Sequence, residues 1–121
     1  MNYLRLFVDE RGESHFDQQH EEMVLVDFAP PAEKVFLSTP RDASGVLFLR
    51  VPVGWNGGWH PSPQRMFLFM LGGLAEFTAS DGNKRTLAAG DVLLLEDTTG
   101  KGHNSRNVGQ EDVYCGFVRL G

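Results

Sequence analysis

The sequence has one cysteine, few basic residues and no long apolar run, and each shortage excludes a class of protein. Cys115 alone cannot form a disulfide within the chain, which fits a reducing compartment. Eleven lysines and arginines against sixteen acids give a net charge of −5, and no basic cluster occurs, so we expect no nucleic-acid partner. No apolar stretch approaches about 18 residues, so we expect no membrane-spanning helix and no membrane partner.

The first residues also lack the positive segment and long apolar core of a secretory signal, so we expect a cytoplasmic protein. A chain of 121 residues with 41% hydrophobic residues is typical of one domain. A domain of this size can bury a core without help from disulfides or metal.

No amphipathic helix is indicated; instead, short β-rich runs recur about every ten residues with turn signals between them. The segment 14–22 is polar and 54–59 is a glycine-rich bend, so neither is predicted as a strand. This pattern predicts an all-β antiparallel sandwich or barrel. Strands are predicted at 3–8, 23–28, 34–38, 46–53, 66–71, 74–79, 84–87, 92–96, 103–108 and 112–120.

Two spaced motifs lie in the second half of the chain. In the first, Gly54 is followed by five residues and His60, then Ser62, Met66 and, after six residues, Gly73. The second begins at Gly90 and is completed by Gly100, two residues, His103, three residues and Asn107, with Thr98 in place of a proline.

These motifs resemble those of the cupin superfamily, in particular small single-domain bacterial cupins with an incomplete metal motif. Ser62 stands where the family has its second histidine, and Met66 where it has a glutamate. The resemblance implies a cupin-like antiparallel double-stranded β-helix, a jelly-roll barrel, over 1–121. N-terminal strands would occupy 1–53, the motif core 54–107 and a closing strand 108–121.

Alternation along strands predicts that both motifs point side chains into the barrel. His60 and Ser62 share one face, as do His103 and Ser105, and a small barrel can hold one small ligand. Catalytic residues cannot be assigned. The predicted ligand-binding residues are His60, Ser62, Gln64, Arg65, Met66, His103 and Ser105.

The resemblance also raises a metal site, because family members use three histidines and a carboxylate. Only His60 and His103 stand at matching positions, and they are the predicted metal ligands for iron, manganese, zinc or nickel. The alternative is a metal-free pocket in which both histidines are polar anchors or acid–base groups. Further ligands would have to come from Gln64, Glu76, Glu96, Asp97, His15 or His20.

Other residues have structural interpretations. We expect Trp59 to cover the barrel end, with stacking on a ligand as the alternative. Arg65 is expected to bind a carboxylate or to remain a surface charge. Glu96 and Asp97 are interpreted as loop anchors to Lys101 and Arg106, with acid–base roles as the alternative. A core position is expected for Met66, Met70 and Cys115, and a surface position for His15 and His20.

Three functions remain open: a small-molecule-binding cupin, a metal-dependent dioxygenase, isomerase or decarboxylase, and a degenerate non-catalytic barrel. The apolar segments 3–8 and 23–28 are expected near sheet edges, where related barrels pair, so we expect a homodimer. If both face a solvated cavity, His60→Ala and His103→Ala should each change stability by less than about 1 kcal/mol.

Overall fold

The computed structural model describes all 121 residues and contains twelve β-strands. None of its segments is a helix of the length and apolarity needed to cross a membrane. The strands are β1 (Asn2–Val8), β2 (Ser14–His20), β3 (Val24–Val26), β4 (Val35–Leu37), β5 (Gly45–Val51), β6 (Asn56–His60), β7 (Met66–Gly72), β8 (Ala75–Ala79), β9 (Lys84–Leu87), β10 (Val92–Leu95), β11 (His103–Asn107) and β12 (Val113–Arg119).

The strands form two main sheets and one small one. The six-stranded sheet has the order β2-β1-β10-β7-β12-β5, the four-stranded sheet has the order β6-β11-β8-β9, and β3 pairs with β4 alone. The predicted all-β jelly roll is confirmed. One pairing departs from the predicted antiparallel pattern, because β1 and β10 run parallel, with Leu4 opposite Leu93.

The core lies between the two main sheets and follows strand alternation. Leu68 and Met70 of β7 and Phe77 of β8 point into it, together with Leu6 and Leu93, which are fully buried. Burying one such side chain stabilises the fold by about 1.5–3 kcal/mol. These contacts hold the two sheets together around the cavity described below.

Two strands were not predicted. β2 is polar but pairs with β1 along its whole length, from Val8 opposite Ser14 to Asn2 opposite His20. The glycine-rich stretch forms β6, which pairs with β11. Both are edge strands and carry few buried apolar side chains, so hydrophobic alternation does not reveal them.

The segment 3–8 lies near a sheet edge, as predicted, but it is not the edge strand itself. That run is β1, which lies between β2 and β10, so its backbone is paired on both sides. The free edges of the six-stranded sheet are β2 and β5. The run 23–28 contributes β3, which stands apart with β4 in a two-stranded ribbon.

Candidate functional site

A cavity of about 340 Å³ lies between the two sheets. Its walls are mainly apolar, and His60 and His103 are among the polar groups that line it. The apolar lining is Leu47, Leu49, Val51, Trp55, Pro63, Met66, Leu68, Met70, Ala75, Phe77, Leu95, Val113, Cys115 and Phe117. The polar lining is His60, Ser62, Gln64, His103, Ser105, Arg106, Asn107 and Arg119.

The cavity brings together most of the residues predicted to bind a ligand. His60, Ser62, Gln64, Met66, His103 and Ser105 all line it. Arg65 lies outside the cavity, with a half-exposed side chain that forms an ion pair with Glu96. The structure thus supports the surface-charge interpretation of Arg65.

Strand pairing places the two predicted histidines side by side. His60 of β6 lies opposite His103 of β11, and the centroids of the two rings are 5.2 Å apart. Gly102 permits this approach, since it has a positive φ of 73° and lies against the backbone of His60 and Pro61. A side chain there would collide with that backbone.

His103 is held by a buried carboxylate. Its Nδ1 lies 2.6 Å from Oδ2 of Asp97, and the two residues are 3% and 0% exposed. A carboxylate only accepts hydrogen bonds, so Nδ1–H is the donor and the lone pair of the neutral ring is on Nε2. Nε2 has no hydrogen-bond partner within the protein, and the ring lines the cavity.

Ser62 supports the second oxygen of the same carboxylate. The Ser62 hydroxyl donates to Oδ1 of Asp97 at 2.8 Å, and the backbone N–H of Ser62 donates to the Asp97 carbonyl at 2.9 Å. Each carboxylate oxygen therefore has a partner, as a buried carboxylate requires. Ser62 fixes the position of Asp97, and Asp97 in turn fixes His103.

His60 differs from its neighbour in its surroundings. It is exposed, and its Nδ1 lies 2.8 Å from the carbonyl oxygen of Pro61. No carboxylate contacts it. His60 can therefore contact a ligand from the solvent side of the cavity, while His103 does so from within the protein.

The predicted anchors of the loop that carries His103 are wrong. Asp97 binds His103 instead of Lys101, and Glu96 pairs with Arg5 and Arg65. Lys101 pairs with Glu13, and Arg106 pairs with Glu76. Sequence proximity suggested short-range pairs, but the strand pairing brings β1 and β2 next to this loop.

The two tryptophans of this region differ in their positions. Trp59 is 56% exposed and does not line the cavity, so its predicted role as a cover for the barrel end is wrong. Trp55 lines the cavity at its other end, near Asn107. Alternation from His60 along β6 could have indicated that Trp59 faces outward.

Three apolar predictions are confirmed. Met66, Met70 and Cys115 are at most 6% exposed and belong to the core cluster, and all three also line the cavity. Burial raises the pKa of the Cys115 thiol to about 11, so it remains protonated at neutral pH.

The side chains do not fit the metal site that the resemblance implies. Ser62 and Met66 occupy the positions of two family ligands, and Asp97 is already bonded on both oxygens. No three His, Cys, Asp or Glu side chains come together as a metal would require. Glu76 and Glu96 are held by arginines, and His15 and His20 lie on β2.

His15 and His20 lie at the surface to different degrees. His20 is exposed, whereas His15 is half-buried between Asp9, 2.7 Å from its Nε2, and Asp81, 2.9 Å from its Nδ1. These hydrogen bonds, chiefly that to Asp9, raise the pKa of His15 above its ordinary value. The bond to His15 lowers the pKa of Asp9.

No protein-family model matches the sequence, and no curated protein matches it significantly. Solved structures do match the fold. The cupin domain of Schizosaccharomyces pombe Cnp3 aligns with a TM-score of 0.53 and 15% identity, covering 99% of this chain and 82% of that one. A cupin domain from Bordetella pertussis aligns with a TM-score of 0.52 and 14% identity, covering 85% and 97%.

A third structure, described as a predicted oxalate decarboxylase from Thermotoga maritima, aligns with a TM-score of 0.51 and 18% identity, covering 84% of this chain and 94% of that one. At these identities the likeness concerns the arrangement of the strands and not the chemistry of the site. The chain therefore has the cupin fold, as its two sequence motifs predicted.

Proposed function

We propose that this protein binds a small, mainly apolar molecule in the cavity between its sheets, with His60 and His103 contacting the polar end of that molecule. The observation that carries the proposal is the buried Asp97–His103 pair at one end of an apolar cavity. Pockets for small molecules commonly combine apolar walls with a few fixed polar groups.

The chemistry of the lining defines the kind of ligand. The volume of about 340 Å³ lies at the small end of the range for ligand sites. Nε2 of His103 is the fixed polar group, and it accepts a hydrogen bond when the ring is neutral. The best fit is a compact apolar molecule with a hydroxyl, enol or N–H group at one end.

Filling the cavity tests this proposal. Leu49→Trp places a large side chain in the cavity, and Lys84→Trp places the same side chain on an exposed strand of the other sheet. Native mass spectrometry of untagged protein should reveal a retained small molecule in the wild type and in Lys84→Trp. If the wild type retains no small molecule, indole is added as the probe ligand. Its binding is then followed through the changes that it causes in the NMR chemical shifts of His103.

Loss of binding in Leu49→Trp alone is the expected result. Equal binding by Leu49→Trp and the wild type would reject the cavity as the site. Elemental analysis of the same untagged samples tests the metal-free form of the proposal. A divalent metal near one equivalent, lost in His103→Ala, would favour the metal-dependent enzyme instead.

A second candidate function is proton transfer on the bound molecule, and the Asp97–His103 hydrogen bond favours it. A buried carboxylate that holds Nδ1–H leaves Nε2 free to accept a proton, and it stabilises the imidazolium that results. The proton would move from an acidic C–H or O–H of the ligand to Nε2 and return to another atom of the ligand. Asp97 is then a positioning residue.

Two measurements test the second candidate. The ¹⁵N shifts of His103 should report the Nδ1–H tautomer in the wild type. Deuterium from D₂O should also enter the retained molecule in the presence of the wild type, but not of His103→Gln. An Nε2–H tautomer, or equal exchange with both proteins, would leave binding as the only function.

A further inference from the structure

The cavity is lined by basic side chains and by no acidic one. Acids outnumber lysines and arginines sixteen to eleven in the whole chain, but the charged residues of the lining are Arg106 and Arg119. Asp97 reaches the lining only from behind, through its hydrogen bond to His103. A cleft lined by charge of one sign attracts molecules of the opposite sign, so this lining favours an anion although the chain carries a net charge of −5.

Arg119 is the arginine of this lining whose charge is not already paired. Nε of Arg106 donates to a carboxylate oxygen of Glu76 at 2.9 Å, whereas Arg119 forms no ion pair within the chain. Arg119 is exposed, and its Cδ lies 3.6 Å from the position that a Cβ on Gly45 would take. Its carbon stem therefore runs beside β5, and its guanidinium group stays in solvent, as is usual for such an arginine.

The strand register places Arg119 at the end of the cavity where His103 lies. Arg119 ends β12 and lies opposite Met66, the first residue of β7. Met66 lies in turn opposite Leu95, the last residue of β10. Asp97, two residues after Leu95, holds His103. The guanidinium group of Arg119 and the free Nε2 of His103 are therefore available to the same end of a bound molecule.

Gln64 adds an uncharged hydrogen-bond donor to this end. It lies in the segment that leads into β7, two residues before Met66, and it lines the cavity. Its side chain is half-buried and forms no hydrogen bond within the chain. The N–H groups of its amide are therefore free to donate to an oxygen of a ligand.

We propose that the ligand of this cavity is a compact apolar acid in its ionised form, and that Arg119 binds its carboxylate group. The inference rests on the proposed function, because it names the polar end of the molecule that the cavity is proposed to bind. A planar guanidinium group matches the two oxygens of a carboxylate. A phosphate group carries about two negative charges at neutral pH, which one unpaired arginine does not balance.

Arg119 and His103 then recognise different groups of one ligand. Arg119 donates to the carboxylate, and Nε2 of the neutral His103 accepts from a hydroxyl, enol or N–H group next to it. The negative charge of Asp97 behind His103 disfavours an anion at this end, and the positive charge of Arg119 offsets it. The ligand class is therefore an apolar carboxylate with a hydrogen-bond donor beside the carboxylate group.

Two compounds that differ in charge test the inference. Indole-2-carboxylate has an N–H group beside its carboxylate, and indole-2-carboxamide has the same ring system but no charge at neutral pH. Titration calorimetry should show that the wild type binds the carboxylate at least about tenfold more tightly, as a charge-assisted hydrogen bond allows. This preference should shrink as the salt concentration rises, because Arg119 is exposed.

Substitutions of Arg119 test whether this residue is the source of the preference. Arg119→Met keeps an unbranched stem without the charge, so it should abolish the preference and change the affinity for the carboxamide less than about threefold. Arg119→Lys keeps the charge but not the planar fork, so it should retain part of the preference. Lys84→Met is the matched control, because it removes one positive charge from β9, which does not line the cavity. It should bind both compounds as the wild type does.

Binding of indole separates failure of this inference from failure of the proposed function. If indole and the carboxamide bind as tightly as the carboxylate, the cavity is a ligand site but its ligand is not an acid. A preference that persists in Arg119→Met would overturn the role of Arg119. If none of the three compounds binds, or if all bind equally to Leu49→Trp, the proposed function fails and this inference fails with it. Far-UV circular dichroism verifies that each variant is folded.

Discussion

Two histidines of this protein contact aspartates, His103 at the cavity and His15 on β2, and their surroundings give them opposite properties. His103 and Asp97 are almost fully buried, and Asp97 is further held by Ser62. His15 is bound on both ring nitrogens, by Asp9 and Asp81, but all three side chains remain partly exposed.

The comparison shows that access of water, more than the number of hydrogen bonds, decides how much a histidine–aspartate pair contributes to stability and how it responds to pH. Water can replace either partner of His15, so that pair contributes little to stability and responds to pH. Water cannot replace Asp97 at His103, so that pair fixes the ring and its loss leaves an unpaired buried group. His15 also has no free nitrogen, whereas His103 keeps Nε2 for a ligand.

The largest effect is expected from breaking the buried pair. Asp97→Ala should lower the free energy of unfolding by about 3–5 kcal/mol, because His103 then loses its buried partner. His103→Ala should lower the free energy of unfolding by a similar amount. The sequence alone predicted a nearly neutral effect, because it placed both histidines in a solvated cavity, whereas His103 is buried. Urea denaturation of the two single variants and the double variant measures their coupling. Additive losses would show that the pair does not act as a unit.

A smaller loss is expected from removing the support of Asp97. Ser62→Ala leaves Oδ1 of Asp97 without its hydroxyl donor, which should cost about 1–3 kcal/mol. The backbone bond from Ser62 to the Asp97 carbonyl remains in the variant. Ser105→Ala is the matched control, since Ser105 lines the same cavity without contacting Asp97. Equal losses in the two variants would argue against the supporting role.

The fold and the two histidines could be predicted from the sequence because they follow from spacing and alternation. Apolar runs and turn residues indicated most of the strands, and the glycine-flanked motifs predicted that His60 and His103 come together. Polar edge strands such as β2 have no such pattern, since pairing with a neighbouring strand is what makes them strands.

The partner of His103 was harder to predict for a similar reason. Asp97 is only six positions from His103, but an acidic residue in a loop is usually solvated, and the sequence does not show that this one is buried. The pairing of β1 with β10 takes Glu96 to Arg5 and turns Asp97 inward, and that pairing joins residues about ninety positions apart.

The contribution of His15 and its aspartate partners to stability should depend on pH. The pKa of His15 is raised above 6.5 by Asp9 and Asp81, so its contribution is complete below pH 6.5 and is lost as the pH rises through the folded pKa. The pKa of Asp9 is lowered below 3.8 by His15, so its contribution is present above pH 3.8 and is lost as the pH falls through the folded value. His15→Gln should therefore flatten the stability profile above pH 6.5, where the wild type loses this contribution as the pH rises.

Thermal melts across that range measure the effect, with His20→Gln as the control because His20 is more exposed. The wild type and the control should lose stability together above neutral pH. A His15→Gln profile parallel to theirs would contradict the assignment.

The smallest effect on stability is expected at His60, the ring next to His103. His60 is exposed and bonds only the Pro61 carbonyl, so His60→Ala should change the free energy of unfolding by less than about 1 kcal/mol. The same variant should weaken binding of the retained molecule or of indole, since the ring lines the cavity. Titration calorimetry and urea denaturation on one preparation separate the two effects. If the His60→Ala variant binds as the wild type does, His103 is the only histidine of the site. The contrast drawn here between His103 and His15 would then separate His103 from every other histidine of the chain.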